Sequence, residues 1–148
     1  MRKILLVFVV PCVVILLSSA GFAKNTSPSG ITQKRDTIHM GVESVRLMQV
    51  ISKDYLYLTT GVTSSVLREE MKASLRGLDG IIEKLHAPKY QSKETKALLS
   101  CITLGRDELK TILKEHYSMD NVKLILDVTG LITEAALRIT HQIEMGRA

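Results

Sequence analysis

Three side chains near the middle of the chain are spaced to hold a small ligand. Arg46, Gln49 and Lys53 lie in SVRLMQVISKDYLYLTTGV, residues 44–62. Steps of three and four put them on one side of a helix. A guanidinium is a planar fork of donors suited to a small planar anion, and an amide and an ammonium beside it add further donors. Two copies of the chain meeting there could clamp one anion at a twofold axis. The competing reading needs no ligand: the same residues flank a packed seam, burying their stems and keeping their heads in water.

Other chemistry finds little to stand on. His39, His86, His116 and His141 are far apart, no two at a helical spacing of three or four, and no Glu-x-x-His occurs. Bundles that hold metals draw on such repeated pairs, so no metal is expected. Glu69 and Glu70 are adjacent and point in different directions from a helix, as solvated charges do. Gly-x-Ser-x-Gly, His-Glu-x-x-His and a phosphate loop are all missing. Cys-x-x-Cys-His, which would attach haem, is missing too. The expectation is a protein that is not an enzyme and has no cofactor. Asn25-Thr26-Ser27 spells a glycosylation sequon, but three letters carry no weight.

The elements that position these residues begin after an apolar head. Arg2 and Lys3 precede the apolar run Ile4 to Leu17, and Gly21 and Ala23 suit cleavage after Ala23. That is the layout of a secretory signal over residues 1–23, too short to span a bilayer comfortably. The alternative is an uncleaved anchor. Cleavage leaves about 125 residues, enough for one domain with one core. It lowers the formal charge from +5 to about +3, too mild and too scattered for a nucleic-acid partner. Cys12 leaves with the signal, so no internal disulfide is expected, and Cys101 is expected as a lone, buried small hydrophobe, with an intermolecular bridge as the alternative. The expected location is the periplasm.

A polar leader, residues 24–30, gives way to four helical blocks over 31–146. The first, Ile31 to Thr60, carries Ile38, Val45, Ser52 and Thr59 every seventh residue, with Gly41, Met48 and Tyr55 between them. Gly61 should end it with positive φ. The second, from Thr63 or Ser64 to Ala87, carries Leu67, Met71, Leu75, Leu78, Ile82 and Leu85. The third starts near Ser92 with Leu98, Ile102, Gly105, Leu109, Ile112 and His116. The fourth starts at Ser118 with Val122, Ile125, Thr129, Ile132, Ala136, Ile139 and Ile143, broadened by Leu124, Val128, Leu131 and Ala135. Thr63 or Ser64, and Ser92, are suited to cap helix starts. Long stripes joined by short links predict an all-α, antiparallel up-down-up-down four-helix bundle.

In its first helix the chain resembles the PilJ-like and NarX-like periplasmic sensor domain of type IV pili methyl-accepting chemotaxis transducers and nitrate/nitrite sensor kinases. Ser44-Val45-Arg46-Leu47 is similar to the family's S-L-R-M segment. Lys53-Asp54-Tyr55-Leu56, Leu58 and Gly61-Val62 resemble the aliphatic run that follows. The likeness extends over Ile38 to about Met145. It implies a four-helix bundle, a dimer, and a first-helix arginine that contacts a small anion, a role that would fall to Arg46. The family's second arginine has no counterpart, because Val50 and Ile51 stand in that region. The resemblance further implies an exported, stand-alone sensor-like module. Its partners would be a small ligand, a membrane chemoreceptor or sensor kinase, and a second copy of itself. A structural or chaperone-like envelope protein with no small ligand is the alternative.

Overall fold

The structure is a computed structural model and describes residues 28–87 and 92–145. The expected signal and the first part of the leader lie outside the described residues. Four helices account for nearly all of these residues, with no strand among them. They are α1 (Pro28–Thr59), α2 (Ser65–Leu85), α3 (Lys93–Ile112) and α4 (Met119–Glu144). No described helix is long and apolar enough to cross a membrane.

Local chemistry sets the helix ends. Pro28 opens α1, three residues before the expected Ile31, because proline's fixed φ and missing N–H are harmless in a first turn. Past its end Gly61 has a φ of 87°, alone in positive φ among the described residues, as its place after the last turn required. Ser64 Oγ accepts from Leu67 N at 3.4 Å, and Ser92 Oγ accepts from Thr95 N at 3.1 Å. Ser118 sits at the N-cap of α4 but makes no side-chain cap bond. Instead its backbone N–H donates to Tyr55 Oη at 3.4 Å, tying the α3–α4 link to the end of α1.

Each helix packs chiefly on two neighbours: α1 on α4 and α2, α3 on α4 and α2. The α2–α3 seam is the thinnest. Lys34 Nζ donates to Glu144 O at 2.9 Å, Thr140 Oγ1 to Thr37 O at 3.5 Å, and Ser52 Oγ meets Thr129 Oγ1 at 2.9 Å. Leu47 of α1 covers Gly77 of α2, and Ile132 and Val128 of α4 cover Gly105 of α3. The apolar core is one cluster drawn from all four helices, including Met48, Ile51, Met71, Leu78, Ile102, Leu109, Ile132 and Ile139.

The expected stripes of α2 and α4 are buried apart from partly covered Leu67 and Val122, and that of α3 is buried through Ile112. His116 is exposed, since α3 has ended by then. The register of α1 needs correction. Gly41, Met48 and Tyr55 do face inward, but their partners are Thr37, Ser44, Ile51 and Leu58, not Ile38, Val45, Ser52 and Thr59. Ile38 is exposed, and Val45, Ser52 and Thr59 are only half-buried. Polar residues won the inward positions because they bond locally: Ser44 Oγ donates to Met40 O at 2.8 Å, removing its burial penalty. Cys101 also departs from expectation, being in a disulfide rather than a lone thiol. The chain's other cysteine, Cys12, lies outside the described residues.

Candidate functional site

The corrected register of α1 moves its polar residues. Arg46, Gln49 and Lys53 do share one side of the helix, but that side is opposite the core and not beside a seam. All three are exposed. Arg46 is held by its own helix: Nε donates to Glu43 Oε2 at 2.8 Å and Nη2 to Oε1 at 2.6 Å. These hydrogen bonds lower the Glu43 carboxyl below its usual range and raise the Arg46 guanidinium above its own. An added anion would have to compete with a carboxylate already seated in the fork. The remaining guanidinium donors and the Gln49 amide stay open to solvent.

Lys53 reaches sideways to Asp54, with Nζ 3.1 Å from Oδ1. Contact with that carboxylate, and then its charge, raises the ammonium above its usual value. The two residues differ sharply in setting. The Lys53 side chain is 55% exposed and that of Asp54 is wholly buried. The Lys53 ammonium lies close, yet both Asp54 oxygens are buried without a hydrogen-bond partner. The attraction is therefore coulombic, between a buried carboxylate and a wet ammonium. Sequence alone hides the burial of Asp54, because its charged neighbour suggests a surface pair. The available signal is its place in Met40, Leu47 and Asp54, a seven-residue series that faces inward.

A second polar cluster ties the thin α2–α3 seam. Arg106 Nη1 donates to Asp79 Oδ1 at 2.5 Å, and Lys110 Nζ donates to Asp79 Oδ2 at 3.0 Å. At the end of the bundle that holds the α1–α2 turn, the Tyr55 and Tyr117 rings meet edge to face with centroids 5.3 Å apart. The Arg68 guanidinium lies 5.5 Å from the Tyr117 ring centre. These are packing devices, although Arg106 Nε is buried without a hydrogen-bond partner and only approaches Asp107 Oδ1 at 2.9 Å.

His39, His86, His116 and His141 are all exposed on separate elements. No three His, Cys, Asp or Glu side chains converge as a metal site among the described residues. No family model, curated protein or solved structure matches this chain. The likeness to PilJ-like and NarX-like domains thus rests on the α1 motif and the helical pattern alone.

Proposed function

We propose that the protein is an exported, stand-alone sensor-like module that works by surface binding and not by bond-making. Its partners are a small anion, a receptor bundle or a second copy, in chemotaxis, pilus or nitrate/nitrite signalling. The fold that serves this is an antiparallel up-down-up-down bundle. Contacts between opposite ends support it, with Lys34 at Glu144 and Tyr55 at Ser118.

The observation that carries the binding reading is the alignment of Arg46, Gln49 and Lys53 along the outward side of α1, each exposed. The Gln49 amide and the Arg46 donors that Glu43 leaves open are within reach of a ligand or partner helix, whereas the Lys53 ammonium is drawn toward Asp54. Thermal unfolding with and without nitrate, nitrite, sulfate and acetate tests the anion. A ligand that binds only the folded state raises Tm in proportion to the logarithm of its excess over Kd. The expected result is a rise that disappears in Arg46→Ala. No shift with any anion, or an equal shift in that variant, removes Arg46 as a ligand contact.

The alternative, a structural or chaperone-like envelope protein with no small ligand, draws on a different observation. Large apolar side chains stand exposed along α1 and α4, among them Val42, Leu56, Leu126 and Leu137. Those same side chains bear on the partner.

A further inference from the structure

The end of the bundle that holds the α1–α2 turn differs from the rest of the chain in charge. From Tyr55 to Leu67 thirteen residues pass without a charged side chain, in a protein that is 24% charged. They make up the end of α1, the turn and the start of α2. A surface turn without charges is ordinarily polar, but this one exposes Leu56, Tyr57, Val62 and Val66. Met119, the first residue of α4, is exposed at the same end, and each of the five is between 47% and 64% exposed.

These side chains surround the end of α1 instead of lining one flat face. Leu56 is one turn beyond Ser52, on the flank that bonds Thr129 of α4. Tyr57 is on the other flank, where the Lys53 ammonium interacts with both Tyr57 and Glu70 of α2. Val66 is one turn nearer the tip than Glu70, on the same side of α2. Val62 follows Gly61 in the turn, and Met119 follows Ser118, whose N–H donates to Tyr55 Oη. A convex apolar tip gives a rigid partner no groove to fill, whereas a fluid bilayer closes around it.

The backbone of the tip is satisfied from within. Thr59 Oγ1 donates to Leu56 O and Thr60 Oγ1 to Tyr57 O, both at 2.7 Å, and Thr60 N donates to Tyr57 O at 3.2 Å. Carbonyls of a last helical turn otherwise lack partners. Groups that leave water for lipid must be satisfied internally, because hydrocarbon offers no donors. A protein interface, by contrast, makes about one hydrogen bond per 100–200 Å², and these hydroxyls are already spent on their own backbone.

Charge selects the occupant. Behind the tip Lys53, Arg68 and Lys123 stand exposed together with Glu70 and Asp120. Lys53 is six residues, about 9 Å, back from the end of α1, and Arg68 is three residues, about 4.5 Å, into α2. An interfacial apolar surface sinks about 5–10 Å into a bilayer. At that depth the uncharged cap reaches the acyl boundary, and the mixed charges rest among headgroups, whose phosphates and ammonium groups are also of both signs. Tyr57, an apolar ring with a polar hydroxyl, is of the type that gathers at such a boundary.

We propose that the α1–α2 end of the bundle is a membrane-docking tip, in which Leu56, Tyr57, Val62, Val66 and Met119 enter the surface of a lipid bilayer. This goes beyond the surface-binding reading and depends neither on Arg46 nor on an anion.

The test is co-sedimentation of the full chain, as cells process it, with vesicles of phosphatidylcholine and phosphatidylethanolamine, with and without phosphatidylglycerol. Binding is expected to both, within about threefold of each other, because the tip enters by its apolar side chains. Val62→Asp with Val66→Asp lowers the partition coefficient by about tenfold or more, and the exposure of both side chains leaves the circular dichroism unchanged. Val42→Asp with Leu137→Asp, exposed apolar positions away from the tip, changes it by less than about twofold. The chain has no tryptophan, so Tyr57→Trp and Ile38→Trp each supply a single fluorescent reporter. Brominated acyl chains are expected to quench the reporter at position 57 and not the one at position 38, toward the other end of α1. No binding at about 1 mM lipid overturns the proposal. So does binding that requires phosphatidylglycerol, binding undiminished in the Val62 and Val66 variant, or quenching at position 38 as strong as at 57. Arg46→Ala should bind vesicles as the wild type does, so the anion and the membrane readings fall separately.

Discussion

Replacing Asp54 with asparagine should make this protein more stable, although it removes an ion pair. Asp54 is 0% exposed, and neither carboxylate oxygen has a hydrogen-bond partner. Its counter-ion, Lys53 Nζ at 3.1 Å, is on a side chain that is 55% exposed, so water screens much of the attraction. Taking a carboxylate out of water costs several kcal/mol even after the protein relaxes. Asparagine has nearly the same shape, so the packing around position 54 is kept. An amide buried without partners costs about 1–3 kcal/mol, less than the charge does. After allowing for the lost attraction to Lys53, the expected gain is about 1–3 kcal/mol. For a chain of this length that is a Tm rise of roughly 3–9 °C, at about 3 °C per kcal/mol. Thermal and urea unfolding followed by circular dichroism at neutral pH and low salt would read it, with the urea slope unchanged. Lys53→Ala provides the cross-check: it should destabilise the wild type, leaving the buried carboxylate alone, and do little in the Asp54→Asn background. A lower Tm for Asp54→Asn would refute the reasoning, because the carboxylate would then have to be worth more than its burial costs.

Two glycines separate close packing from helix propensity. Gly41→Ala drives a Cβ into Thr140 Oγ1 and should cost about 1–3 kcal/mol, much of it regained when Thr140→Ala is added. Gly80→Ala meets nothing and should gain about 0.5–1 kcal/mol from helix propensity alone. Capping divides in the same way: Ser92→Ala loses the bond from Thr95 N and about 1 kcal/mol, whereas Ser118→Ala, with no side-chain cap bond, should be nearly neutral. Urea midpoints suffice for all of these. Glu43 gives the acid dependence. Its folded carboxyl is lowered from 4.5 by the Arg46 hydrogen bond, so its contribution is complete above that value and fades as pH falls through the folded one. The pair is on the surface and the effect small; Glu43→Gln should lower stability slightly at neutral pH and flatten its fall below pH 4.5.

The helical architecture was legible because α2, α3 and α4 separate apolar from polar faces cleanly. In α2, Met71, Leu75, Leu78 and Ile82 can face only one way, and all four are buried. Gly61 and the capping serines mark where chain direction changes, for reasons that depend on a few neighbouring atoms. The candidate site was legible only as an alignment. That Arg46, Gln49 and Lys53 share a side follows from their spacing, but whether that side meets water depends on the whole face of α1. The seating of the Arg46 fork by Glu43 was within reach of the sequence as an i,i+3 pair. The burial of Asp54 was not, because no local rule favours a carboxylate with unsatisfied oxygens in a core.

The misreading of α1 has a physical cause that bears on the proposed dimer. Two seven-residue series run along this helix: Thr37, Ser44, Ile51 and Leu58 face the core, while Ile38, Val45, Ser52 and Thr59 border the outward face. The second is the more apolar over its first half, so hydropathy favoured it. An isolated bundle has no use for apolar residues there, and a helix selected only for its own core would place Ile and Val at 37 and 44 and polar residues at 38 and 42. If a second helix covers that flank, both series are interior and the pattern is consistent. Val42→Ser with Leu137→Ser therefore separates the two cases. In a lone bundle these exposed positions contribute little, and stability should move by no more than about 0.5 kcal/mol at any protein concentration. In a dimer the apparent stability of the wild type rises with concentration, and the double variant loses that dependence. A wild-type melting temperature independent of concentration from about 1 to 100 µM would mean that the outward series has no partner in a second copy.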